Sequence, residues 1–137
     1  MAKSLLYRWF GIGKIAEPFL SQIKAEGVVL WDEGIKGSAT YLHFRAPRRR
    51  ARWKRQWYTT SIAITRTRLL ALAGKNTTIN VPLTDERLRA MRYSVEDNGA
   101  LCIAFDASLF HSDWSGTIEY RFHTPLAQQF LEILQKL

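Results

Sequence analysis

The sequence predicts a mainly β domain: a bent sheet or partly open barrel of seven strands, capped at one end by a C-terminal α-helix and preceded by a short N-terminal helical arm. Three observations predict it. From Val28 onward apolar and polar residues alternate with period two, in short runs rich in β-branched and aromatic side chains. Turn-forming Gly, Asn and Asp separate those runs. Residues 123–137 then switch to the spacing of an amphipathic helix.

Residues 1–27 form the arm. Within it Leu5, Leu6, Trp9, Phe10 and Ile12, with Lys3 and Arg8, suit either a helix lying in a membrane interface or a segment packed on the sheet or on a second copy of the chain. Glu17 to Gly27 reads as a short helix: Pro18 fits a first turn, Phe19, Leu20 and Ile23 share a face, and Gly27 stops it. Residues 28–137 make the sheet domain. After an extended piece at Val28–Trp31, strands are expected near 38–46, 54–66, 68–73, 77–83, 88–95, 100–106 and 115–122.

Gly74-Lys-Asn76 joins the third and fourth strands, and Glu96-Asp-Asn-Gly99 joins the fifth and sixth with an Asn-Gly pair suited to positive φ. Alternation places Leu42, Phe44, Ile62, Ile64, Ile79, Val81, Leu83, Leu101, Ile103, Phe105, Ile118, Tyr120 and Phe122 on inward faces. In the last helix Thr124 can cap and Pro125 fits the first position. Leu126, Ala127, Phe130, Leu131, Leu134 and Leu137 form its apolar stripe.

The composition agrees with one folded domain. A chain of 137 residues buries one core, and 47% hydrophobic and 12% aromatic residues leave no room for a charge-expanded coil. Twenty Lys and Arg against twelve Asp and Glu give a formal charge of +8, which favours phosphates, nucleic acid and anionic lipid surfaces as partners. Cys102 is the single cysteine, so neither an intrachain disulfide nor a cysteine zinc cage can form, and a reducing, cytoplasmic setting is expected. The N-terminus lacks the pattern of a signal peptide, and no apolar stretch reaches the roughly 18 to 20 residues of a membrane-spanning helix. Membrane contact, if made, is peripheral.

One stretch stands out. Residues 45–57 hold seven basic side chains, Trp53, Trp57 and no acid. On the strand count above it is the basic loop between the first and second strands and the start of the latter. Arg52 and Lys54 then share one face, and Trp53 and Arg55 the other. Arginine forks offer bidentate contacts to phosphate oxygens.

The order of these elements resembles the pleckstrin-homology-like superfold. Trp53-Lys-Arg-Gln-Trp-Tyr58 is similar to that family's second-strand pattern of tryptophan, basic pair and aromatics. Ile64-Thr-Arg-Thr-Arg-Leu-Leu-Ala-Leu72, and Ile118-Glu-Tyr-Arg-Phe122 running into a helix, are similar to segments of bacterial PH-like and GRAM-like domains. The last helix lacks the tryptophan that many eukaryotic PH domains carry there, and Phe130 is expected to fill the equivalent space.

The resemblance, covering residues 36–137, implies a non-catalytic binding module whose basic loop clasps phosphoinositide-like or other anionic headgroups. The phosphate contacts are then Arg48, Arg49, Arg50, Arg52, Lys54 and Arg55, with Trp53 and Trp57 at the headgroup level of the membrane. The bland alternative is a solvated hairpin with both indoles tucked into the barrel. Two other classes compete. A protein-recognition module would use an exposed strand edge or the Leu109, Phe110 and Trp114 loop, and a nucleic-acid binder would track a backbone along the basic run and stack bases. The N-terminal arm offers a route to a homo-oligomer.

No enzyme chemistry is expected. His43, His111 and His123 are scattered, His111-Ser-Asp113 is only a sequence neighbourhood, and Gly11-Ile-Gly13 lacks the lysine and serine of a phosphate loop. No metal or cofactor is called for, and Cys102 is expected to pack as a small residue.

Overall fold

A computed structural model describes residues 19–137 of the chain. Helix α1 (Phe19–Glu26) leads into β1 (Val28–Ala46), followed by β2 (Arg49–Thr65), β3 (Arg68–Ala73) and β4 (Asn76–Pro82). A helical turn, α2 (Arg87–Ala90), precedes β5 (Arg92–Val95), β6 (Leu101–Asp106), a 3-10 turn (Ala107–Leu109), β7 (Ser115–Phe122) and the closing helix α3 (Ala127–Gln135). The proposed apolar face of residues 5–12 and the Pro18 helix entry lie outside the described residues.

The seven strands form one open antiparallel sheet in the order β4-β3-β2-β1-β7-β6-β5. The chain winds outward from the central β1 to one edge at β4. It then crosses to the opposite edge at β5 and winds back to β1 through β7. A single apolar cluster contains Ile62 and Ile64 of β2, Val81 of β4, Leu101 and Phe105 of β6, Phe122 of β7, and Phe130 and Leu134 of α3. Residues from both halves of the sheet meet there, so the sheet curves around its core and α3 closes it.

A smaller cluster lies elsewhere on β2 and β3, where Ile23 of α1 packs on Ala63, Leu70 and Leu72. At the end of α1 the Glu26 carboxylate accepts hydrogen bonds from Thr65 Oγ1 at 2.9 Å and Arg68 Nε at 3.0 Å. Helix α1 is thus tied to the sheet by apolar burial and by a charge-assisted pair.

Several elements differ from the sequence expectation. The Val28–Trp31 piece and the first strand are one continuous strand, because Asp32-Glu-Gly34 is absorbed as an irregularity between Asp32 and Ile35 in the β1–β2 pairing and does not form a turn. The expected strand 88–95 begins as helical turn α2, because Leu88 and Met91, three apart, both enter the core. Tyr93 Oη then donates to the Leu88 carbonyl at 2.7 Å.

Leu42 does not join Phe44 inside. His43 between them has φ of 49°, which breaks the alternation, so Phe44 is buried while Leu42 is only half-buried and pairs with Trp53. Leu83 and Tyr120 pack on the core as half-buried residues. Helix α3 starts at Ala127, two residues after Pro125. Thr124 Oγ1 accepts from the Leu126 amide and donates to Asp32, so it ties the helix entry back to β1.

Candidate functional site

The basic run is strand, not loop. Strand β2 begins at Arg49, five residues earlier than expected, and only Pro47 and Arg48 separate it from β1. Arg48 makes the turn with φ of 64°, a left-handed conformation unusual for a side-chain-bearing residue. The register then keeps one offset from Ala46↔Arg49 through Arg45↔Arg50, Phe44↔Ala51 and Leu42↔Trp53 to Ile35↔Thr60, interrupted only at His43 and Arg52. Strand β7 leaves β1 at Arg45↔Ser115, and β3 meets β2 only from Thr60 onward. The β2 side of the hairpin therefore runs past β3, while β1 stays beside β7 nearly to the tip.

Its base is rigid. Phe44 is buried, its ring 5.1 Å from Tyr41 and 5.4 Å from Trp114 in an edge-on contact. Above it His43, Phe44 and Arg45 of β1 and Arg50, Ala51 and Arg52 of β2 line a groove of about 520 Å³. Arg45, Arg48, Arg49, Arg50, Arg52, Lys54 and Arg55 are all exposed, and none forms a salt bridge with another described residue. Strong positive potential accumulates at this end, because these seven cations have no acid among them.

The two faces of the hairpin carry different chemistry. Arg55 lies with the indoles, its guanidinium 5.4 Å from the Trp53 ring and 5.9 Å from the Trp57 ring, and its Nε donates to Thr40 Oγ1 at 3.0 Å. Lys36 Nζ sits 4.5 Å over Trp57, completing a ladder of alternating cations and aromatic rings. Trp53 and Trp57 are 61% and 52% exposed, so the indoles are not tucked into the barrel. Arg50 and Arg52 line the groove, and Lys54, opposite Tyr41, stands on the face of β2 away from Trp53 and Arg55. Arg48 and Arg49 stand at the tip, and the Arg49 guanidinium reaches over Phe44 at 5.7 Å.

Three participants were not singled out from the sequence: His43 and Arg45 in the groove, and Lys36 against Trp57. Placing the turn at Pro47-Arg48 would have found Arg45 opposite Arg50 by counting register.

The remaining candidates lie elsewhere. Leu109, Phe110 and Trp114 fold back on the core, with Phe110 edge-on to Phe105 and His111 stacked on Trp114 at 3.7 Å. Cys102 is buried on β6, where its thiol is pushed above its ordinary value by burial first of all. His123 lines a second concavity of about 650 Å³ with Thr124, Pro125 and Asn98. Burial, then the Lys36 charge, holds its imidazole below the ordinary value.

Arg121 pairs with Glu96 at 2.8 Å and Glu119 at 2.9 Å, so it is engaged within the fold. Among the described residues no group of three or more His, Cys, Asp or Glu is placed to hold a metal ion, and no helix is long and apolar enough to cross a membrane.

No family model matches the chain, and no curated protein or solved structure is significantly similar to it.

Proposed function

We propose that the protein is a non-catalytic, PH-like binding module that attaches peripherally to anionic phospholipid surfaces through the β1–β2 hairpin. One observation carries the reading: seven exposed basic side chains, without a salt bridge to any described residue, share one hairpin with two exposed indoles.

Near an anionic bilayer each Lys or Arg contributes on the order of 1 kcal/mol, so the basic residues act together without needing one stereospecific contact. The groove between Arg45, Arg50 and Arg52 adds a place where guanidinium forks can converge on one phosphate. Indoles prefer the headgroup level, which suits the Trp53 and Trp57 ladder.

The test is sedimentation with liposomes. The unaltered protein is expected to pellet with anionic and not with neutral vesicles, and the double variant Arg52→Glu/Lys54→Glu to stay in the supernatant with an unchanged circular dichroism spectrum. Equal absence of binding to both vesicle types by the unaltered protein refutes the reading. Competition with single-stranded RNA over a salt series separates lipid from nucleic acid, whose affinity falls with a log-log slope of roughly 0.7 per phosphate neutralised.

A further inference from the structure

The hairpin carries a second recognition element that belongs to its main chain. Strand β3 pairs with β2 only over Thr60–Ile64, and no other described strand lies along the same side of β2 from Arg49 to Tyr58. From Trp53 to Tyr58 roughly 20 Å of that edge is left open by the described strands at the usual rise per residue.

Two hydrogen bonds fix which backbone groups face that edge. The Thr59 carbonyl accepts from the Gly74 amide at 2.8 Å, so Thr59 points to the β3 side. The Lys36 carbonyl accepts from the His123 amide at 2.9 Å, so even-numbered residues of β1 point to β7 and odd-numbered ones to β2. Both bonds give the same phase. Below the irregularity at His43, Trp53, Arg55 and Trp57 direct their N–H and C=O groups to the open edge, while Lys54 and Gln56 are bonded to β1. From Trp53 onward the β1–β2 register is continuous, and this part of β2 holds no proline, so nothing in the described backbone blocks an added strand.

We propose that this edge takes an extended acidic peptide segment of a partner protein as an eighth strand. Charge selects the occupant. Arg49, Arg50, Arg52, Lys54 and Arg55 line the edge without an acid, so two copies pairing edge to edge would set like charges opposite one another, which is destabilising. A strand carrying acids meets Lys54 on one face and Arg55 on the other, with Arg49, Arg50 and Arg52 farther toward the tip. Aliphatic or aromatic residues at its other positions cover the exposed indoles of Trp53 and Trp57. The inference rests on the main-chain edge and is independent of the headgroup reading.

The experiment is amide hydrogen exchange by NMR on the full chain, with a capped synthetic peptide in which glutamate and leucine alternate over about nine residues. In the free protein the amides of Trp53, Arg55 and Trp57 are expected to exchange fast and those of Lys54 and Gln56 slowly. With peptide at about ten times its Kd, the odd-numbered set is expected to slow by about tenfold, while the even-numbered set changes little.

A peptide N-methylated along one edge keeps its charge and loses main-chain donors, and it is expected not to give this protection. Binding of both peptides without protection of the odd-numbered amides means side-chain attraction alone and overturns the proposal. Protection that rises with protein concentration and needs no peptide means a second copy fills the edge, and overturns it equally. Failure to sediment with liposomes leaves the odd-and-even pattern untouched, so the two readings fail separately.

Discussion

Gly116 of β7 lies so close beneath His43 of β1 that a Cβ on it would fall 2.5 Å from the His43 carbonyl oxygen. Gly116 also has φ of 97°, and His43 answers with φ of 49°. The irregularity in β1 and the glycine opposite it are two halves of one feature, which switches the facing of β1 so that Phe44 enters the core. Gly116→Ala is expected to cost about 2–4 kcal/mol, combining a left-handed backbone with a clash against main chain that cannot swing away. Gly74→Ala is the control: φ is 61° but the site is open, so only the backbone term, about 1–2 kcal/mol, remains. Urea unfolding of both variants measures the difference.

The parts of this fold that were legible in the sequence are those where one signal acts alone. Strand β3 sits between Arg66-Thr67 and Gly74, and its boundaries are those expected. Ile103 and Phe105 alternate cleanly and are buried. The misread parts hold two signals in conflict. Leu88 and Met91 satisfy a helical spacing inside a stretch that also alternates, and core burial decided for the helical turn. The basic run lacks β-branched residues and reads as solvated loop, yet β1 across from it holds it extended. The faces of β2 from Trp53 onward follow from parity once the strand is known, but the switch at His43 does not. The groove needed the register, which depends on a two-residue turn made by arginine rather than glycine.

Glu26 predicts a pH dependence. Burial acts to raise its carboxyl, but hydrogen bonds from Thr65, Thr67, Arg68 and Gln22 outweigh that and leave it below its ordinary value of 4.5. A carboxyl depressed on folding contributes stability above its unfolded value and loses it as pH falls through the folded one. Glu26→Gln is therefore expected to be less stable near neutrality by about 1–2 kcal/mol, and the gap should close as pH drops below about 4.5. Urea midpoints across the acid range check both the size and the sign.

Phe130 tests whether α3 closes the core. Its side chain is fully buried, beside Leu134 in the same cluster as Leu101 and Phe122. Phe130→Ala is expected to cost about 3–5 kcal/mol from lost burial and the cavity left behind. Leu131, half-buried on the same helix, should cost clearly less when cut to alanine. A cost under about 1 kcal/mol at Phe130 would place the helix away from the sheet.

Trp53 and Trp57 separate stability from binding. Each leaves more than half of its surface in water, so Trp53→Ala/Trp57→Ala is expected to change folding stability by no more than about 1 kcal/mol. At a membrane the same exposed area is what can be buried. About 100 Å² of each ring is worth roughly 2 kcal/mol at the usual transfer coefficient, so the double variant should lose at least about tenfold in affinity for anionic vesicles.

Salt identifies the source of the loss. Raising ionic strength shortens the Debye length from about 10 Å at 0.1 M to about 3 Å at 1 M and removes most of the arginine contribution, but not the indole contribution. The unaltered protein is therefore expected to retain weak vesicle binding and a blue-shifted tryptophan emission at high salt, and the double variant neither. If both proteins release completely and together as salt rises, the indoles do not enter the interface, and attraction to the basic residues of the hairpin accounts for all of the binding.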